Sequence, residues 1–242
     1  MTRLLIRQSL SVSDEIWVDG DEFHYLARVR RHGEGDQVEV RGKEGTMFLA
    51  RVGVLEKDRA LLTVEEPLPV VVSTWPVTLA LAVPKHNLMD DIVRKTSEIG
   101  VERIIPMTSE RSVARPGRGK IERWQKIAFE SLRQCGRHTP LVIEQVHGFE
   151  QALSTLQHGG TKLVLHPHGV ASSRFSKIII DKTALPAPIC VLIGPEGGFS
   201  EVEIKMAEEH GFSPVGLGPS ILRIETAAIA TAVLCVASLG GY

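Results

Sequence analysis

The sequence predicts two folded parts: a small β-rich domain over residues 1–70, and an α/β domain with a mainly parallel sheet over residues 71–242. Three observations predict them. Up to about residue 68 the chain offers the short β-branched segments DQVEVRG, TMFLARVGVLE and RALLTVEE, punctuated by Gly33, Gly35, Gly42 and Gly45. The stretch EEPLPVVVSTWP, with three prolines, then reads as a boundary, although its valines have the make-up of a strand. From Val77 onward, apolar runs of strand length alternate with amphipathic helical stretches, the pattern of successive βα units.

The elements follow in order. One amphipathic helix, roughly Asp21 to Arg30, interrupts the first strands, and so few strands fit a small barrel better than a sandwich. VTLALAV is a strand. NLMDDIVRKTSEIG is a helix opened by Asn87 at the N-cap and closed by Gly100. RIIPM is a strand, and KIERWQKIAFESLRQCG is a long amphipathic helix closed by Gly136. KLVLH, ICVLI and SPVGL are further strands, the last two flanking a helix, and ETAAIATAVLCVASLG is the final helix. No internal repeat is present.

Composition narrows the function classes. The 242 residues are 43% apolar and 24% charged, ordinary for a globular protein, and the net charge is −1. Nucleic-acid contact must therefore come from local patches. Cys135, Cys190 and Cys235 are far apart with no C-x-x-C, which argues against a structural zinc or a disulfide framework and for reduced thiols. MTRLLIRQSLSVSDE lacks the apolar run of a signal peptide, and AAIATAVLCVASLGGY is too short and small-residue-rich to span a bilayer. A cytoplasmic protein with no membrane partner is expected.

The chemistry concentrates in VLIGPEGGFSEVEI. An apolar strand ends in Gly194, Pro195, Glu196, Gly197 and Gly198, and Ser200 with Glu203 makes a capping box where the next helix begins. Ligands in open α/β sheets bind beyond the carboxyl ends of strands, and glycines there let backbone groups approach a ligand. The pattern is neither G-x-G-x-x-G nor a P-loop, and Glu196, Glu201 and Glu203 would repel an anion. A neutral or cationic ligand fits better; a tight turn with no ligand is the alternative. A second strand end, GLGPSILRIETA, brings Arg223, Glu225 and Thr226 before an apolar helix, where the latter two also suit a plain helix start. At a third, LVLHPHG, His166 and His168 flank Pro167, but no further ligand has metal-site spacing, so no metal is expected.

Basic residues are uneven. Between Arg111 and Arg137 lie eight (with Arg115, Arg118, Lys120, Arg123, Lys126 and Arg133) against Glu122 and Glu130, and Arg28, Arg30 and Arg31 form a second cluster. Such stripes can carry phosphate contacts; a solvated helix face is the plain alternative.

IGPEGGFS with LGPSILRIETA resembles the C-terminal signature of the RsmE family of 16S rRNA (uracil-N3) methyltransferases, in the SPOUT superfamily. VPKHNLMDDIVRKTSEIGVERIIPMTSERSV, RWQKIAFESLRQCGRHTP and HYLARVRRHGEGDQVEV resemble further family segments in the same order, so the resemblance covers nearly the whole chain. It implies a PUA-like, RNA-binding N-terminal barrel and a C-terminal SPOUT domain with a trefoil knot. It implies S-adenosyl-L-methionine in the knot cleft, methylation at N3 of a uridine near the decoding centre of 16S rRNA in the small ribosomal subunit, and a homodimer packed through the knot. Matched residue by residue, it puts Leu165 and His166 in a first cofactor loop and Gly194, Pro195, Glu196, Gly197 and Gly198 in a second. Leu217, Gly218, Ser220, Ile221, Leu222 and Arg223 form a third, with Glu225 and Thr226 beside it. Arg223 is then the expected catalytic cation and Glu225 a base or merely a cap; Arg3, Arg28, Arg31, Lys85, Arg111 and Arg137 are the expected RNA contacts.

Departures fall in the N-terminal part: Arg3, Leu4, Leu5 in place of an Arg-aromatic pair, Arg30 after Val29 in place of Leu, and His24-Tyr25 in place of His-His. Rival readings are a SPOUT ribose 2′-O-methyltransferase and a non-catalytic RNA-binding module. A nicotinamide enzyme would need the G-x-G-x-x-G that the chain lacks.

Overall fold

The structure is a computed structural model. It describes residues 2–6, 8–43, 46–69, 76–114, 116–117, 119–135, 140–156, 160–170 and 188–240, without the side chains of 133, 134 and 167–170. The chain divides into two compact units, Met1–Val72 and Ser73–Tyr242.

The first unit is one five-stranded sheet in the order β1-β3-β4-β5-β2. Its strands are β1 (Arg3–Leu5), β2 (Glu15–Asp19), β3 (Gln37–Arg41), β4 (Met47–Leu55) and β5 (Arg59–Leu68). All pairs are antiparallel except β1 with β3. Alternation decides which face is inside: Ile16 and Val18 on β2, Val38 and Val40 on β3, and Ala50 and Val52 on β4 are buried together. Register shifts between β4 and β5 bend the pair and help the sheet curl around its core. The helix expected from Asp21 to Arg30 forms, but differently: α1 (Gly20–Phe23) runs into a π-helical stretch, His24–Val29. Arg30 N donates to Tyr25 O at 2.9 Å, a five-residue span. The wider turn keeps Phe23 and Leu26 on the core. The strands β1 and β2, too short to read from the sequence, are the two edges.

The second unit is all-parallel: β6 (Val77–Ala82), β7 (Arg103–Thr108), β8 (Val142–Ile143), β9 (His147–Gly148), β10 (Thr161–Val170), β11 (Ile189–Ile193) and β12 (Ser213–Val215). The order is β12-β10-β11-β6-β7-β8, with β9 also on β7. Every residue of β6 and β11 is buried, as strands covered on both faces require. Successive side chains serve opposite faces. Leu79, Leu81, Val191 and Ile193 pack with helices α2 (Leu88–Ile99), α3 (Lys120–Cys135) and α6 (Ile224–Ser238). Ala80, Cys190 and Leu192 pack with α4 (Phe149–Thr155) and α5 (Glu201–Glu209).

Helix ends match the sequence in part. Gly100 closes α2 in the left-handed region, φ 119°, its N–H on Thr96 O at 3.1 Å. Asn87 holds the N-cap position of α2 without a capping bond; its Oδ1 accepts from Lys120 Nζ at 3.3 Å instead. The Ser200–Glu203 capping box is present on α5. The valines of residues 70–75, Gly136 and residues 171–187 lie outside the described residues. Among the described residues, no helix is long and apolar enough to cross a membrane, and no cluster of His, Cys, Asp and Glu could hold a metal.

Candidate cofactor cleft

Because β10 lies between β12 and β11, the carboxyl ends of these three parallel strands meet. The loops leaving them enclose a cleft of about 290 Å³. β10 contributes Leu165 and His166; β11 and its loop contribute Ile193, Gly194, Pro195, Glu196 and Gly198. The loop after β12 contributes Val215, Gly216, Leu217, Gly218, Ser220, Ile221, Leu222, Arg223 and Ile224, and α6 adds Ala227. Of the residues singled out from the sequence for the cofactor or the chemistry, Gly197, Glu225 and Thr226 are not on the lining. Glu225 sits in the first turn of α6, where a carboxylate favours the helix dipole. Ile193, Val215, Gly216, Ile224 and Ala227 line the cleft without having been singled out. Four of these are apolar residues at strand and helix ends, indistinguishable by type from core.

The glycine loop is held tightly. A turn closes from Pro195 to Gly198, whose N–H donates to Pro195 O at 2.8 Å, and Gly198 has φ +68°. The chain then folds back so that Phe199 comes under Gly194, where an added Cβ would lie 3.2 Å from both the Phe199 backbone N and its ring. Phe199 in turn packs on Phe149, ring centroids 5.3 Å apart. Among the described residues Glu196 is the one carboxylate on the lining; its Oε1 faces Lys85 N at 3.5 Å. Arg223, exposed at the N-cap of α6, is the one arginine of the lining among the described residues. Among the described residues the cleft has apolar walls, bare backbone and one carboxylate, with a single arginine at its lip and no lysine, so its glycine loop suits an uncharged or cationic ligand better than a phosphate.

Residues 72–236 match the RNA methyltransferase domain family and residues 18–65 the RNA methyltransferase PUA domain. The ribosomal RNA small subunit methyltransferase E of Synechocystis sp. is 33% identical over 229 residues, covering 93% of this chain and 74% of that protein. The chain belongs to the RsmE family of RNA methyltransferases. The Bacillus subtilis member is 29% identical over 235 residues, covering 92% of this chain and 90% of its own length. The crystal structure of the Neisseria gonorrhoeae member bound to S-adenosyl methionine superposes with a TM-score of 0.83 at 28% identity, covering 98% of this chain and 97% of that one.

The methyltransferase's basic residues are less free than the sequence implies. Arg3 is paired with Glu39, Nε and Nη2 donating to Oε2 at 2.9 and 2.6 Å. Arg111 donates from Nη1 to the carbonyls of Gly197, 3.1 Å, and Phe199, 3.4 Å. Arg123 is bound to Asp90 at 2.5 Å, and Lys126 faces Glu130 at 4.0 Å. Arg28, Arg31 and Lys85 are exposed, Arg31 with φ +58°. Arg115, Arg118 and Arg137 lie outside the described residues.

Proposed function

We propose that this chain methylates N3 of a uridine near the decoding centre of 16S rRNA, using S-adenosyl-L-methionine bound in the cleft at the ends of β10, β11 and β12. The observation that carries the reading is the glycine loop: it has the reach to touch a ligand through its backbone, and a carboxylate where a phosphate site would have a lysine. The residues present fit the group. Leu165, Ile193, Val215 and Leu217 offer apolar surface for an adenine ring, and Glu196 offers negative charge to a sulfonium or acceptors to a ribose. We also read the second unit as threaded into the family's trefoil knot, the first unit as the RNA-binding module, and the protein as cytoplasmic.

When bound, S-adenosylmethionine supplies an electrophilic methyl group. The remaining work falls to the protein. N3 lies on the pairing edge of uracil, so the base must be unpaired or turned out of its stack to enter the cleft. As the N3 proton leaves, negative charge grows on O2 and O4, and it is discharged when N3 takes the methyl from the sulfonium. Arg223, on the lip of the cleft, stabilises that charge. Glu196 is better placed than Glu225 to receive the proton, because it lies on the lining and Glu225 does not.

A homodimer is the proposed assembly. Helix α6 is apolar along its length apart from Glu225 and a few small polar residues, yet Val233 and Leu234 are 41% and 42% exposed. Ile221, on the cleft lip, is 85% exposed. Apolar side chains so presented fit a surface covered by a second copy.

The test is titration calorimetry with S-adenosylmethionine, followed by mass mapping of the methylated nucleotide in small-subunit RNA. Binding and a methyl on the base are expected. Absence of binding ends the enzyme reading, and a methyl on the ribose ends the N3 assignment.

A further inference from the structure

We propose that Arg111 and Glu203 are positioning residues of the cofactor cleft, clasping the glycine loop to the segment that follows β7. This rests on the methyl-donor reading of the cleft and deepens it. Two neighbouring residues of that segment reach both ends of 197–203. From Arg111, Nη1 donates to Gly197 O and Phe199 O. From Glu110, the backbone N–H donates to Glu203 Oε1 at 2.8 Å. Glu203 is only 6% exposed, and its other oxygen accepts from Ser200 N at 2.9 Å, so one buried carboxylate joins the helix cap to a distant loop.

The glycine pattern now has a division of labour. Glu196 and Gly198 line the cleft, while Gly197 between them does not. Its carbonyl is taken by Arg111, whose stem runs beside its α-carbon: a Cβ there would lie in ordinary contact, 3.5 Å from Arg111 Cβ and 3.7 Å from Cδ. Gly197 is thus the outward anchor of a turn whose neighbours face the ligand. With Nη1 committed to those carbonyls, the contacts of Arg111 are with the cofactor loop, which assigns it to the donor side of the reaction.

The experiment compares the full-length protein with Arg111→Ala, Arg111→Lys and Glu203→Gln. In the unliganded state, hydrogen exchange of the amides of 196–200 is expected to speed up in Arg111→Ala and Glu203→Gln. In steady-state methylation of small-subunit rRNA, Arg111→Ala is expected to raise KM for S-adenosylmethionine about tenfold, the loss of a charge-assisted hydrogen bond, with KM for RNA within twofold. Arg111→Lys, keeping a cation on the carbonyls, should recover most of the loss. Unchanged exchange in the loop overturns the clasp, as does a rise in KM for RNA with KM for the donor unmoved. Should the wild-type protein fail to bind S-adenosylmethionine, the donor reading falls, and the exchange measurement still decides the clasp.

Discussion

Gly194 and Gly198 separate two reasons for a glycine. At Gly194 a methyl would press on Phe199, which Phe149 keeps from retreating. Gly194→Ala is expected to cost about 1–3 kcal/mol by overpacking and to weaken S-adenosylmethionine binding, read by thermal melting and calorimetry. A Cβ added at Gly198 meets no described atom within 4 Å, so Gly198→Ala meets only the strain of φ +68°, about 1–2 kcal/mol. Arg223→Ala should lower methyl transfer about 100-fold with donor affinity within a few-fold; survival of activity would remove its charge-stabilising role. Burial, and then Cys190, push the Cys235 thiol from 9.0 up to about 12. The folded state therefore holds this proton more tightly than the unfolded state does. Its contribution is whole below pH 9 and is lost as pH rises through 12, so stability should fall by up to about 1.4 kcal/mol per unit across that window, measured by denaturant melts. The polar and glycine part of the cleft was legible because such residues are costly or idle elsewhere. Val215, Ile224 and Ala227 were not, because an apolar wall facing a ligand has the composition of one facing the core.

At the scale of elements, legibility followed length and punctuation. The apolar run VTLALAV and the helix ending at Gly100 declared β6 and α2 outright. The short strands β1, β8 and β9, and α4, carry too few residues for a period to show. The π-helical turn in His24–Val29 depends on core contacts of Phe23 and Leu26 that no local pattern announces. The cap of α5 is a joint: Ser200 Oγ accepts from Glu203 N at 3.3 Å while the Glu203 carboxylate holds Ser200 N and Glu110 N. Ser200→Ala should cost about 1 kcal/mol. The basic stripe on α3 shows the opposite limit. Lys120 and Arg123 look like solvent charges in sequence, yet Asn87 and Asp90 of the preceding helix region hold them, because α2 and α3 pack together.

For the whole molecule, the apolar surface of α6 makes the strongest claim. The pair of substitutions Val233→Asp and Leu234→Asp is expected to leave the chain folded, by circular dichroism, and to shift it to the monomer in sedimentation velocity. A monomeric wild type would remove the homodimer. That surface is only half of what α6 does. Its other side packs against α2, β6 and β11, so the second unit's first strand, beginning at Val77, is covered by a helix that starts at Ile224. At ordinary translation speeds the interval between their synthesis is on the order of ten seconds. Through that time Leu79, Leu81, Ile92 and Val93 lack the part of their cover that α6 supplies. A protein proposed to act on ribosomal RNA thus leaves the ribosome with one face of its core still waiting for its last helix.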